Sequence, residues 1–256
     1  MPQSICPHCG GSGWKIVERE GASGAERCNC RDGERAGQIE ERAGIPPRYH
    51  YATLDSFQIP EDNRTVSQAL VPVKLAVERY VRDYPHDDKR GLLLMGPPGT
   101  GKTHLAVGAF RALLKRGHEG LFFDFQSLLS RIRASYDKHL GASDREGLRA
   151  ALETEILLLD DIGAHRVKEF VEDTVTEIIT YRCNHEKAII VTTNLPDPDA
   201  GDTMVQKDAN SVRGVSARVS LAERIGERAR SRLFEMCRVV RVQTNRDYRI
   251  VKSKVL

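Results

Sequence analysis

The chain has 256 residues, 40% of them hydrophobic and 29% charged, with a formal net charge of +3. That length supports one good-sized core plus a small appended module, and the balance is that of a globular protein. No apolar run approaches the ~18 residues of a membrane-spanning helix, and the opening "MPQSICPHCG" lacks a basic-then-apolar signal, so the expected setting is cytoplasmic, with no membrane partner.

The charge is uneven. From Arg213 to Leu256, ten Arg and two Lys stand against three Glu and one Asp, a local net of +8, which leaves −5 for the rest. A basic tail of this kind suits phosphate, of nucleotide or of nucleic acid, although a solvated basic helix has the same composition.

Taken in chain order, residues 1–33 form a glycine- and cysteine-rich module with little helical period. Cys6 and Cys9 make a C-x2-C pair, and Cys28 and Cys30 a C-x-C pair further on. Four thiolates are what a closed tetrahedral zinc site takes, and "GGSG" permits the tight turn of a knuckle. His8 is an alternative ligand. So small a module needs the metal for its stability. Cys183 and Cys237 stand alone and read as buried thiols.

Residues 34–63 read as a charged helical connector and then a proline-broken lead-in, "GIPPRYHYATLDSFQIP", laid as strand or loop against the main domain at 64–256. Val66, Ala69, Leu70, Val73, Val77 and Tyr80 predict a helix over 64–83, with Pro72 an awkward member. The pattern then alternates. "RGLLLMG", "EGLFFDF", "EILLLDD" and "KAIIVTTN" read as buried parallel strands. Helices are expected in "KTHLAVGAFRALLKRG", in "SLLSRIRASYDKHL" with Ser127 as cap, in "VKEFVEDTVTEIITYRCNH", and in a single helix, "SLAERIGERARSRLFEM". Such alternation predicts an α/β fold with a parallel sheet covered on both faces. Residues 197–216 are polar and read as a loop.

Between the first strand and its helix lies "GPPGTGKT", which matches a phosphate-binding loop in the required context. Gly96, Pro97, Pro98, Gly99, Thr100 and Gly101 form the loop, whose glycines let backbone N–H groups turn inward around phosphates, and Lys102 reaches the β- and γ-phosphates. Thr103 is placed to hold Mg, and His104 follows in the first helical turn. Asp160 and Asp161 end another buried strand: the first suits the Mg site, and the second suits orienting or deprotonating an attacking water. Two solvated strand-end acids would look the same without the loop. Asn194 ends a third strand, where its amide suits the water or the γ-phosphate.

In this order and spacing, "GPPGTGKTHLA", "ILLLDDIG", "IIVTTN" and "ERIGERARSRL" resemble AAA+ ATPases, and among them the DnaC/DnaI helicase loaders and IstB-type transposition helpers. The resemblance covers residues 44–256 and implies an AAA+ P-loop NTPase core using ATP and Mg. It makes Lys102 and Thr103 the phosphate-loop pair, Asp160 the Mg acid, Asp161 the catalytic acid and Asn194 the first sensor. The trans-acting arginine finger best matches Arg228, with Arg224 and Arg230 as rivals, and Arg249 matches the second sensor. The lead-in fits the segment that walls the adenine pocket. Asp161 departs from the Glu found in many AAA+ enzymes, which suits a slow switch rather than a motor. A finger is useful only across a subunit boundary, so self-association into a ring or spiral is implied.

The helix after the second strand corresponds to one touching single-stranded DNA in related proteins, with Arg131, Arg133 and Tyr136 as candidates, although any amphipathic surface helix looks alike. The cysteine module resembles that of DnaI-type loaders, which implies a replicative helicase as partner; a zinc knuckle also suits nucleic acid. The expected function is loading a replicative helicase onto single-stranded DNA. The alternatives are a transposition helper that binds duplex DNA and recruits a transposase, and a docking adaptor that binds nucleotide with hardly any turnover.

Overall fold

The computed structural model describes residues 6–10, 12–19, 22–28, 38–136, 145–164, 169–197, 219–244 and 246–253. Cys30, the Tyr136 side chain and nearly all of the 197–216 segment lie outside the described residues. Near the N-terminus, β1 (Trp14–Arg19) and β2 (Ala22–Arg27) pair antiparallel as a hairpin. Sequence reading assigns no strand there, because Lys15, Glu18 and Arg19 blur any apolar alternation. The hairpin's base is tied instead by the Cys28 amide, which donates to the Gly13 carbonyl at 2.8 Å.

Residues 38–42 are helical (α1), and the chain beyond them is built into the main core. Ala43, Ile45, Ala52 and Phe57 are buried there. Arg111 grips the Glu40 carboxylate with two hydrogen bonds, 3.0 and 2.9 Å, and the Phe122 amide donates to the Ala43 carbonyl at 2.7 Å. The connector thus covers the open edge of the sheet, which would otherwise present unpaired backbone groups. The lead-in makes a single 3-10 turn at Pro47–Tyr49 and no strand. The helix expected at 64–83 is α2 (Arg64–Asp83), capped by the Asn63 side chain, with Pro72 inside it.

The sheet comprises β3 (Gly91–Met95), β4 (Gly120–Asp124), β5 (Ile156–Asp160), β6 (Ala188–Thr193) and β7 (Cys237–Arg241), in the order β4-β5-β6-β3-β7 and all parallel. β3, β5 and β6 are buried throughout, as strands covered on both faces should be. Their residues alternate between two cores: Leu92, Leu94, Leu158 and Ile190 face α2 and α3 (Lys102–Lys115), whereas Leu93, Met95, Leu157 and Ile189 face the opposite layer. That layer holds α4 (Phe125–Tyr136), α5 (Arg145–Glu153), α6 (Glu169–Asn184), α7 (Leu221–Ile225) and α8 (Glu227–Met236).

Three local expectations are corrected. β7 is a fifth strand that sequence reading does not assign, since it only ends the preceding helix near "CRVVRV"; its arginines mask a short edge strand paired to β3. The single helix expected over 220–236 is two. A capping box joins Ser220 and Glu223, and the chain breaks at Gly226, φ +83, where a Cβ would overlap the Glu172 carboxylate at 2.4 Å. β4 runs into α4 without a loop, and the cap is Asp124 rather than Ser127. Its Oδ1 accepts from the Ser127 amide (2.9 Å) and hydroxyl (3.0 Å). Leu128, Leu129 and Ile132 of α4 are buried, while Arg131 and Arg133 are exposed.

Candidate nucleotide-binding site

The site lies where β3, β5 and β6 end side by side, the edge at which parallel sheets bind ligands. β3 leads into the loop Gly96–Gly101, and Lys102 opens α3, so free amides of the helix N-terminus face the loop. Gly99 and Gly101 adopt φ +73 and +88, a region that only glycine enters freely. A Cβ on Gly101 would lie 2.6 Å from the Phe57 ring, so the lead-in packs directly onto the loop. Thr100 is fully buried and its hydroxyl donates to the Pro97 carbonyl at 2.9 Å. Pro98 is exposed at the loop's tip.

The predicted chemical residues are joined in one network. Lys102 Nζ donates to the Pro97 carbonyl and to Asn194 Oδ1, each at 2.6 Å. Asn194 Nδ2 donates to Asp161 Oδ1 at 2.6 Å. The Thr103 hydroxyl donates to Asp160 Oδ1 at 2.8 Å, and Thr192 Oγ1 donates to the same oxygen at 2.7 Å while accepting from the Asp161 amide at 2.9 Å. Asp161 sits at φ +59, a conformation that Asp tolerates, and is held from both its backbone and its side chain. The paired hydroxyl and carboxylate of Thr103 and Asp160 form a hard-oxygen donor set suited to Mg.

Burial pulls the Lys102 ammonium down to about 8, against the attraction of Asp161 and Asp160. Burial, then the neighbouring Asp160 charge, pushes the Asp161 carboxyl above its ordinary value. A sign follows for ligand binding. Free Lys102 loses its proton as pH rises through about 8, whereas phosphate needs the ammonium. Binding therefore takes up a proton between about 8 and 10.5, and nucleotide affinity falls with rising pH there, by up to about tenfold per unit. Calorimetric titration of ADP across that range, in buffers of different ionisation enthalpy, measures both the fall and the proton uptake.

A cavity of about 380 Å3 opens over this network. Arg249 and His104 border it. The His104 ring bonds Ser56 Oγ and the Thr53 carbonyl, each at 3.0 Å, tying the lead-in to α3. The structure adds residues that sequence reasoning did not single out: Thr192, Asp124, Arg48, Tyr49 and Tyr248. Asp124 and Thr192 were accessible to the rule that parallel-strand ends carry ligand groups; the others come together only through the fold.

The three arginine candidates lie apart from the cavity and differ in their partners. Arg230 grips the buried Asp197 carboxylate through Nε (2.6 Å) and Nη2 (2.7 Å). The stem of Arg224 packs on Gly163, where a Cβ would meet it at 3.2 Å. Arg228 is exposed and borders an open groove between α6 and α8.

In the N-terminal module, the sulfur atoms of Cys6, Cys9 and Cys28 lie within 4.8 Å of one another. Cys6 and Cys28 are 3.8 Å apart, about the spacing that metal–sulfur bonds of ~2.3 Å produce around a tetrahedral ion. His8 is exposed. The donors fit a thiolate-rich metal site.

A five-stranded parallel sheet in this order, with a glycine loop, a lysine and strand-end acids at its edge, defines a nucleotide-binding domain of the AAA+ class. The chain belongs to the IstB-like ATP-binding protein family, whose model matches residues 45–213. YdaV of Escherichia coli (strain K12), itself uncharacterized, is 27% identical over 183 residues, 71% of this chain and 69% of that protein. The replicative helicase loader DnaC of the same organism is 22% identical over 153 residues, 60% of this chain and 59% of its own length. This chain therefore spans about three fifths of that loader. A crystal structure of the DnaC helicase loader matches with a TM-score of 0.61 and 30% identity, over 77% of this chain and 100% of the other.

Proposed function

We propose that this protein is an ATP-hydrolysing switch that loads a replicative helicase onto single-stranded DNA in the cytoplasm. The observation that carries the ATPase part is the Lys102–Asn194–Asp161 network beside Thr103 and Asp160. In this reading Asp161 takes a proton from the attacking water that Asn194 orients. Lys102 balances the negative charge on the transferring γ-phosphoryl group, whose bond to the bridging oxygen breaks as the water oxygen bonds to phosphorus. Thr103 and Asp160 would hold Mg, which supplies charge neutralisation on the phosphates. Arg249 faces the phosphates from the chain's own C-terminal segment.

Arg228 acts on a neighbouring copy. Its exposure supports this assignment over Arg230, which Asp197 already holds, and over Arg224, which packs on its own chain. Arg228→Ala is expected to lower ATP turnover by about 10³–10⁵-fold in the assembled ring or spiral and to leave ATP binding by the isolated chain unchanged. Phosphate release and equilibrium binding, measured side by side, check this.

The helicase part rests on likeness to DnaC and on the cysteine module, in which zinc on Cys6, Cys9, Cys28 and either Cys30 or His8 would fix a docking surface. Arg131 and Arg133 of α4 would meet DNA phosphates. The family match favours a second reading, a transposition helper on duplex DNA that recruits a transposase. The test immobilises the chain with ATP and Mg and offers purified replicative helicase, in parallel with Cys6→Ser/Cys9→Ser, while filter binding compares single-stranded with duplex DNA. The loader reading expects helicase retention that the cysteine variant loses, and single-strand preference. Duplex preference without helicase retention supports the second reading.

A further inference from the structure

Thr192 stands near the end of β6, where a buried strand would ordinarily continue its apolar run. Ala188, Ile189, Ile190 and Val191 precede it, and it is itself 1% exposed. A hydroxyl in such a place costs free energy unless it is paired. This one is paired twice, each time with an acid of the nucleotide site. Oγ1 donates to Asp160 Oδ1 at 2.7 Å and accepts from the Asp161 amide at 2.9 Å. The Thr192 carbonyl accepts from the Ile162 amide, also at 2.9 Å. One residue of β6 therefore holds three consecutive residues at the end of β5.

The sheet explains this placement. Side chains alternate along a strand, so Thr192 points with Ile190 toward the α3 layer, and Asp160 points there with Leu158. Leu158 pairs with Ile190 and Leu159 with Val191, and one step further on Thr192 comes beside Asp160. Asp160 Oδ1 thus has two hydroxyl donors, Thr192 from the sheet and Thr103 from α3 at 2.8 Å. Together they fix how the carboxylate is turned. At Asp161 the chain bends away with φ +59, and the bond from its amide to Thr192 sets that bend. The bend in turn brings Asp161 Oδ1 to Asn194 Nδ2 at 2.6 Å. A β-branched side chain has few rotamers, so the oxygen that makes both bonds is itself held still.

We infer that Thr192 is a positioning residue, whose single hydroxyl sets the Mg acid Asp160 and the catalytic acid Asp161 relative to each other. The inference rests on the ATP-hydrolysis reading of this cavity. It assigns to Thr192 a role exerted through the two carboxylates.

The test separates the hydroxyl from the methyl with Thr192→Val, Thr192→Ser and Thr192→Ala. Two quantities are measured for the full chain and each variant: ADP affinity with and without Mg, and ATP turnover at saturating ATP and Mg. Thr192→Val and Thr192→Ala are expected to turn over ATP about ten- to a hundredfold more slowly. Mg is expected to improve their ADP affinity about three- to tenfold less than it does for the unaltered chain, while their Mg-free affinities stay unchanged. Thr192→Ser is expected to stay within about threefold of the unaltered chain in both quantities. A merely structural role sorts the proteins by the methyl instead, with Thr192→Val like the unaltered chain and Thr192→Ser like Thr192→Ala. That sorting overturns the inference, as does equal behaviour of all four proteins. Should Thr192→Val not fold, the Ser and Ala variants, which differ only in the hydroxyl, still decide. If the unaltered chain neither binds ADP nor hydrolyses ATP, the nucleotide reading itself fails and this inference falls with it.

Discussion

Asp161→Asn lowers ATP turnover by about 10²–10⁴-fold and leaves ATP binding intact. The substitution is nearly isosteric, and Asn tolerates the φ of +59 at this position. Its amide oxygen can still accept from Asn194 Nδ2, as Asp161 Oδ1 does at 2.6 Å, and its backbone amide can still donate to Thr192. What is lost is the basic oxygen, in a place where burial and Asp160 already push the carboxyl toward holding a proton. Steady-state phosphate release against equilibrium ATP titration separates the two effects. Turnover unchanged in the variant would remove Asp161 from the proton transfer.

The largest expected loss of stability lies far from the nucleotide. Arg182, in α6, is 0% exposed, and the two terminal nitrogens of its guanidinium are supplied with acceptors, whereas Nε has no partner among the described residues. Nη1 donates to the carbonyls of Ala151 (2.9 Å), Leu152 (3.2 Å) and Thr154 (2.9 Å), and Nη2 to those of Glu155 (2.9 Å) and Ala188. It therefore fastens the C-terminal end of α5, where a cation is favoured by the helix dipole, to the start of β6. Burial pulls its pKa down to about 10, which still leaves it charged at neutral pH. Arg182→Ala strips a charged donor from five carbonyls and opens a cavity, and is expected to cost about 3–5 kcal/mol, or about 6–20 °C in melting temperature. Arg182→Lys recovers only part of this, because one ammonium cannot span the fork. Denaturant unfolding of the two variants measures both.

The phosphate loop was legible because its demands are local: glycines at fixed offsets, then Lys102 and Thr103, between an apolar strand and a helix. The strand-end residues Asp160, Asp161 and Asn194 were legible for a related reason, since buried parallel strands read as continuous apolar runs whose last residue marks the binding edge. Their linkage was not legible. Thr192 reads as an ordinary strand residue, and only the β5–β6 register brings its hydroxyl between Asp160 and the Asp161 amide. Arg182 is hidden for the same reason, because a charged residue in an amphipathic helix reads as solvated until the fold surrounds it with carbonyls. The break at Gly226 was readable from Ser220, Glu223 and the glycine itself, but the apolar spacing on either side suggests one continuous helix. β7 and the hairpin are short and rich in charge, so side-chain alternation says little and pairing decides.

The connector shows how context changes a segment's meaning. Its composition is that of a charged link, yet Glu40 holds Arg111 on the helix that follows the phosphate loop, and Ala43 pairs with Phe122 on the strand that leads into α4. The cysteine module is therefore followed by a segment in contact with both the nucleotide-binding helix and the strand before the candidate DNA helix.

In the proposed function, ATP occupancy of this cavity is what places a helicase on DNA. The most direct measurement incubates purified replicative helicase with circular single-stranded DNA, ATP, Mg and the full chain or its Lys102→Ala variant, and counts helicase retained on the DNA after gel filtration. The unaltered chain is expected to raise DNA-bound helicase well above the level reached by helicase alone, and Lys102→Ala is expected not to. Equal retention with both proteins, or none above helicase alone with either, would contradict the proposed function.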